Sequence, residues 1–287
     1  MNREQRAEKL AAHHWEKHRD RLRSVVERER FGLICDFDGT LSAFAPLPTQ
    51  AVILPENAAL LDALAERVTV VALVSGRGAR DLRQRFERPY AVYYGNHGLE
   101  FWRDDRLMLV ETAHAWSEPL QHVLDAVRAM NFEGVIVEDK GVTGSIHYRL
   151  AHDTAATRAA LQELLAPLCE QSGFRLSEGQ FIWEVKPPLQ VDKGTAVRAI
   201  VEEYQLDGAI FIGDDVTDYA AMRMLRQLAA DPQRDLRGLS LGVVHPTSPP
   251  ELFTACDLTA DGVHDVTGFL RWVLEHRPLP VSVKDKE

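Results

Sequence analysis

The sequence predicts an α/β protein: a three-layer core built on a parallel sheet, interrupted by an inserted αββαββ cap domain. Three observations carry that expectation. The runs Phe31–Cys35, Val68–Val74 and Ala209–Ile212 are short and, Thr69 excepted, apolar throughout, as strands buried on both faces of a parallel sheet are. Helical patterns alternate with such runs on either side of a middle segment with a different order. Each of the three runs ends in a polar cluster, and open α/β sheets place their ligands at the carboxyl ends of strands.

The elements follow in chain order. Residues 1–30 are rich in Arg, Glu, Lys and His, with Leu10, Trp15, Leu22, Val25 and Val26 interspersed, and read as one charged amphipathic helix. His13 and His14 are adjacent, so they do not share a helix face, and surface positions are expected for them. Residues 31–110 form the first part of the core, in the order β-α-β-α-β. Its helices fall near Glu56–Glu66 and Ala79–Phe86, and a strand runs from Tyr90 to Tyr94. The stretch from Ala43 to Gln50 holds Pro46 and Pro48 and is a loop beside the mouth of the first strand. The polar turn Arg103-Asp104-Asp105-Arg106 joins Leu99–Trp102 to Leu107–Val110 as a hairpin.

Residues 111–186 make the cap. Helices are expected at Trp116–Met130 and Thr154–Cys169. The strands are Val135–Glu138, Gly144–Arg149, Phe174–Ser177 and Phe181–Val185. Pro187-Pro188 marks the return crossing. Residues 187–287 resume the core, with a helix opened by Asp192-Lys193-Gly194-Thr195 and strands at Ala209–Ile212 and Ser240–Val244. The tail after Arg277 is expected to be loose.

Composition narrows the function. With 43 acidic against 33 basic residues the formal net charge is −10, which argues against nonspecific binding of nucleic acid or anionic membrane. It leaves room for an anionic substrate, because a local basic cluster and a metal can reverse the field. The cysteines, Cys35, Cys169 and Cys256, lack metal-ligand spacing and fit reduced thiols in a cytoplasmic setting. No apolar stretch reaches transmembrane length.

The chemistry is concentrated in Asp36-Phe37-Asp38-Gly39-Thr40, directly after the first strand. Two carboxylates one residue apart, beside a glycine, can hold a divalent cation, and one of them can attack an electrophile. Ser75-Gly76-Arg77, Lys193 at a helix start and Gly213-Asp214-Asp215-Val216-Thr217-Asp218 complete a set of nucleophile, hydrogen-bond donor, cation and metal ligands. Each piece alone is as common in turns and solvated surface; all of them in this order form a strong signal.

In this order and spacing the chain resembles the haloacid dehalogenase superfamily of phosphotransferases. Gly95-Asn96-His97-Gly98, Glu138-Asp139-Lys140-Gly141, Ser145-Ile146-His147-Tyr148-Arg149 and Trp183-Glu184-Val185-Lys186-Pro187 make residues 30–275 look like the trehalose-6-phosphate phosphatase family within it. The resemblance implies a Rossmann-like core and hydrolysis of a phosphorylated disaccharide with Mg²⁺ as cofactor. It implies Asp36 as nucleophile and Asp38 as the acid and base. Lys193 would neutralise charge. Ser75 and backbone N–H groups near Asp38 and Gly39 would donate to phosphate. Asp214, with Asp36 and the Asp38 carbonyl, would ligate the metal, and Asp215 and Asp218 would complete or orient that shell. Arg77, Asn96, His97, Glu138, Lys140, His147, Arg149 and Glu184 are the expected substrate-binding residues, with Arg77 reaching phosphate or pairing with a nearby acid.

Two positions depart from the family pattern. Tyr219 stands where Glu often follows the last motif, and Lys186 stands where Arg more often precedes Pro. The alternatives are a phosphatase for sucrose phosphate or glucosylglycerol phosphate, a phosphomutase, and a non-catalytic sugar-phosphate-binding partner of a synthase. Association of the phosphatase itself with a trehalose-6-phosphate synthase is also expected.

Overall fold

The structure is a computed structural model and describes residues 3–45, 48–103 and 105–279. Pro46 of the expected loop, Asp104 of the expected turn and the end of the expected tail lie outside the described residues. The chain divides into two compact units. One comprises residues 1–98, 102–105 and 191–287, and the other residues 99–101 and 106–190.

Chain order begins with α1 (Arg3–His13), α2 (Arg19–Val26) and β1 (Phe31–Cys35), followed by α3 (Pro55–Ala65), β2 (Val70–Val74), α4 (Ala79–Arg85) and β3 (Ala91–Gly95). Then come β4 (Glu100–Arg103), β5 (Arg106–Leu109), α5 (Ser117–Ala129), β6 (Ile136–Asp139), β7 (Gly144–His147), α6 (Thr154–Ser172), β8 (Arg175–Gly179) and β9 (Ile182–Lys186). The last part holds α7 (Lys193–Glu203), β10 (Gly208–Gly213), α8 (Asp218–Ala230), β11 (Arg237–Val243), α9 (Leu252–Ala255), β12 (Leu258–Ala260) and α10 (Gly262–His276).

In the first unit six strands run parallel in the order β12-β11-β10-β1-β2-β3. β1, β2 and β10 are buried along their whole length, which is why they read as uninterrupted apolar runs. Cys35 pairs with Ile212 on one side and with Leu73 on the other. That register brings the residues just beyond three strands, Asp36, Ser75 and Asp214, to one end of the sheet.

The N-terminal segment is two helices, not the single helix expected. A 3₁₀ turn at Trp15–His18 separates them. Tertiary packing overrides local helix propensity there. Trp15 is buried against Phe269 and Trp272, and its indole N–H donates to Asp265 at 3.1 Å. His14 Nε2 lies 2.9 Å from the same carboxylate.

Arg277 ties the N-terminal segment to the end of α10. Its guanidinium donates to the backbone carbonyls of Val26, Glu29 and Arg67 at 2.8 Å each, and also to that of Arg28. The residue is buried, so its loss would leave these acceptors poorly satisfied. Arg277→Ala is therefore expected to cost about 2 kcal/mol of stability, measured as a shift in the urea midpoint at unchanged slope. A loss below about 0.5 kcal/mol, the range of ordinary surface substitutions, would contradict that account.

The second unit has a four-stranded antiparallel sheet in the order β6-β7-β9-β8. α5 and α6 cover one face, where Leu120, Leu124, Leu161 and Leu165 pack with Ile146, Trp183 and Val185. Asp153 caps α6 by accepting from the Ala156 N–H at 2.9 Å, and Gly173 closes it at φ 76°, a left-handed position that suits glycine. Among the described residues no helix is long and apolar enough to cross a membrane.

Candidate active site

The site in the first unit is organised around a buried ammonium. Lys193 is the first residue of α7, whose N-terminus is set by reciprocal hydrogen bonds between Asp192 and Thr195. From there Nζ donates to Asp36 Oδ1 and to Asp218 Oδ1, both at 2.7 Å. Asp218 begins α8, and its other oxygen accepts from the backbone N–H groups of Asp214 and Asp215 at 2.9 Å each. Asp218 therefore links Lys193 to the turn that carries Asp214.

Asp36, Asp214 and Asp218 bring carboxylate oxygens within 4.8 Å of one another. Burial pushes Asp36 up to about 7 against the opposing pull of Lys193. Burial, then the charges of Asp36 and Asp218, push Asp214 up to about 9. Burial alone would depress Lys193, but Asp218 and Asp36 hold it above the ordinary lysine value. Fully ionised, three buried carboxylates around one ammonium would leave negative charge uncompensated. Such a set of hard oxygen donors suits a divalent cation such as Mg²⁺. Both oxygens of Asp218 already have protein partners, which leaves more donor capacity for an ion on Asp36 and Asp214.

The turn after β1 is shaped to this cluster. Gly39 has φ 71°, and a Cβ there would lie 2.3 Å from Asp214 Oδ2, so only glycine fits. The Gly39 N–H donates to the Ser42 carbonyl at 2.8 Å. Of the amides near Asp38 and Gly39 expected to donate to phosphate, this one is used by the turn itself. Thr40 Oγ1 donates to Asp214 Oδ1 at 3.4 Å.

The other expected residues separate into groups. The Asp38 carboxylate is not among the clustered oxygens; Arg77 holds it through two hydrogen bonds, Nε to Oδ2 at 2.6 Å and Nη2 to Oδ1 at 2.8 Å. The Asp215 side chain is also outside the cluster, because its Oδ1 accepts from the Val216 N–H at 2.6 Å. Ser75 is buried, and its Oγ accepts from the Arg77 N–H at 3.2 Å. Asn96 and His97 lie beside it: the Asn96 N–H donates to the Arg77 carbonyl at 2.8 Å and the His97 N–H to the Ser75 carbonyl at 2.9 Å. Both have positive φ, 50° and 57°, a conformation rare for side-chain-bearing residues and concentrated at functional loops. The buried hydroxyl of Tyr219, the departure after Asp218, has no hydrogen-bond partner among the described residues.

His245 is not among the residues expected from the sequence. It follows β11 and its Nε2 lies 2.6 Å from the Gly39 carbonyl and 3.8 Å from Asp214 Oδ2, while Phe44 packs edge-on against its ring. Its position just past the carboxyl end of a core strand is the one feature that could have pointed to it.

In the second unit the sheet face away from α5 and α6 is polar. Glu138 pairs with Ser145, and Ser145 with Glu184, so the three share that face. His147 lies two residues along, with Nε2 3.0 Å from Glu138 Oε2. Lys140 Nζ is 3.8 Å from the same oxygen, and Lys186 Nζ is 2.8 Å from Glu184 Oε2. Arg149 is not part of this row. β7 ends at His147, and Arg149 sits in the following turn over the Phe181 ring at 5.4 Å.

A model of the trehalose-phosphatase family matches residues 34–245. A probable trehalose-phosphate phosphatase of Sinorhizobium fredii is 32% identical, over 79% of this chain and 82% of that protein. A trehalose-phosphate phosphatase of Mycobacterium marinum is also 32% identical, over 64% of this chain but only 48% of that longer protein. Among solved structures, the C-terminal domain of a C. albicans trehalose-6-phosphate phosphatase is 20% identical with a TM-score of 0.71, covering 90% of this chain and 96% of that one. A haloacid dehalogenase-like hydrolase of Bacteroides thetaiotaomicron is 13% identical with a TM-score of 0.60, covering 84% and 98%. At these identities the structural likeness shows the fold: a Rossmann-like α/β core with a cap.

Proposed function

The chain belongs to the trehalose-phosphatase family, and we propose that it is a cytoplasmic, Mg²⁺-dependent phosphatase that hydrolyses trehalose 6-phosphate to trehalose and phosphate through an aspartyl-phosphate. The observation that carries this reading is the contact of Lys193 with Asp36 at 2.7 Å, at the end of β1. It gives the buried carboxylate a cation that steadies it and would also face the phosphoryl oxygens.

Asp36 attacks phosphorus and Asp38 serves the leaving oxygen and then the attacking water. Ser75 donates to the phosphoryl oxygens, and Asp218 keeps Lys193 and the Asp214 turn in place. Asp36 and Asp214, with the Asp38 carbonyl, would hold Mg²⁺. When bound, the ion supplies charge neutralisation for the phosphoryl group. The polar face bearing Glu138, Lys140, His147 and Glu184 binds the sugar hydroxyls. A solved neighbour, the C-terminal domain of a Candida albicans trehalose synthase regulatory protein, is 15% identical with a TM-score of 0.63 and so shares the fold; a synthase is kept as a proposed partner of this chain.

Phosphate release across a panel of sugar phosphates, with and without a chelator, tests this reading. Activity should be highest on trehalose 6-phosphate, vanish in excess chelator and return with Mg²⁺. Undiminished activity in chelator, or preference for another sugar phosphate, would refute the corresponding part. Specificity should reside in the polar face, because binding energy from a remote sugar ring can be used at the reacting centre. Glu184→Ala should lower kcat/KM on trehalose 6-phosphate by about 10- to 100-fold, the loss of a hydrogen bond to a charged group of roughly 1.5–3 kcal/mol. Hydrolysis of 4-nitrophenyl phosphate should change less than about twofold, since that substrate has no sugar. Equal losses on both substrates would assign Glu184 to folding instead.

A further inference from the structure

We infer that Arg77 is a positioning residue for Asp38 and not a ligand of the substrate phosphate. This rests on the phosphatase reading above. The guanidinium is already committed. Nε and Nη2 grip the two oxygens of Asp38 at 2.6 and 2.8 Å, and Nη1 donates to Asp81 Oδ2 at 2.9 Å. Asp81 is held in turn by Arg85 Nε at 2.8 Å, and Arg85 is anchored to the Ala51 carbonyl at 2.5 Å. The Arg77 guanidinium also lies over the Phe37 ring at 5.6 Å. The Arg77 side chain is only 11% exposed, against 36% for Asp38.

A two-point contact between planar groups fixes orientation as well as distance, which a single ammonium contact does not. Asp38 sits on a short turn with a partly exposed side chain, and without the clamp its carboxyl would sample several rotamers. A proton-transfer group must come within about 2.6–3.2 Å of its target. The line Asp38–Arg77–Asp81–Arg85 supplies that placement from behind.

As an Asp36 oxygen bonds to phosphorus, the ester O–P bond breaks and the protonated Asp38 gives its proton to the departing sugar oxygen. The Asp38 carboxylate then takes a proton from water as the water oxygen attacks phosphorus. The Asp36–phosphorus bond breaks, and phosphate leaves. One ester and one water become one alcohol and one phosphate.

The inference separates substrates by their leaving group. A sugar alkoxide needs that proton; 4-nitrophenolate leaves without it. Single turnovers with enzyme in excess should be followed for release of trehalose from trehalose 6-phosphate and of 4-nitrophenol from 4-nitrophenyl phosphate. Arg77→Met should slow trehalose release at least about 30-fold and leave 4-nitrophenol release within about threefold. Arg77→Lys keeps the charge without the fork and should show the same split. Should Arg77→Met not fold, Arg77→Lys decides by the same criterion. Equal slowing on both substrates, or full recovery with lysine, would overturn the inference, since a phosphate ligand acts on both substrates alike and a clamp that needs the fork is not restored by lysine. Wild-type protein that releases product from neither substrate would overturn the phosphatase reading, and this inference with it. Active wild type without the split overturns this inference alone.

Discussion

Asp36→Asn is expected to give a folded protein without turnover. Asparagine has the same shape and keeps an oxygen for the Lys193 ammonium, which Asp36 now accepts at 2.7 Å. It cannot form the acyl phosphate on the path proposed for this site. The loss should be at least about 1,000-fold, or roughly 4 kcal/mol of barrier. Stability should not fall with it. Burial already disfavours the charged form of Asp36, pushing it up to about 7, so a neutral amide removes an unfavourable charge from the cluster. Phosphate release and a thermal melt on the same preparation check both halves. Activity within about tenfold of wild type would remove Asp36 from the role of nucleophile.

Much of this was legible because the core strands are buried on both faces. Phe31–Cys35 and Val70–Val74 are continuous apolar runs, so their carboxyl ends, and hence Asp36 and Ser75, are marked in the sequence. Lys193 and Asp218 were legible as members of a motif. That Asp218 bridges Lys193 to the amides of Asp214 and Asp215 was not, since hydrogen-bond partners depend on how α7 and α8 pack.

Long-range contacts were the least legible. His245 meets Gly39 across 206 residues of sequence, and only its place just past β11 marks it locally. β12 has only three residues, too few for a period to show. The break at His14 follows from Trp15 packing on α10, which the amphipathic pattern of residues 1–30 conceals. Arg149 falls outside the β7 row for a local reason. β7 stops at His147 because the chain turns at Tyr148, whose carbonyl accepts from the Ala151 N–H at 3.2 Å.

The carboxylate cluster sets the second large effect, a coupling of stability to pH and to Mg²⁺. The folded protein holds Asp36 up at about 7 and Asp214 up at about 9, against 3.8 for a free aspartate. Between pH 4 and those values the folded state keeps protons that the unfolded chain has released. The unfolded state then binds fewer protons, so stability falls as pH rises through that window. Lys193 does not offset this. Its value is raised, so its contribution is fully present below the unfolded lysine value of 10.5 and is lost only above the window.

A divalent cation binds the deprotonated carboxylates, so its stabilisation should grow over the same range. In a chelator, the melting temperature is expected to fall between pH 5.5 and 8.5 by roughly 5 °C or more, since one pKa unit is about 1.4 kcal/mol and each kcal/mol moves a protein of this size by about 2–4 °C. Saturating Mg²⁺ should raise it more at pH 8.5 than at pH 5.5. Asp214→Asn removes the most strongly raised carboxyl and should flatten both dependences. A wild-type slope retained in Asp214→Asn, or a Mg²⁺ effect of equal size at both pH values, would mean that the cluster does not control stability in this way.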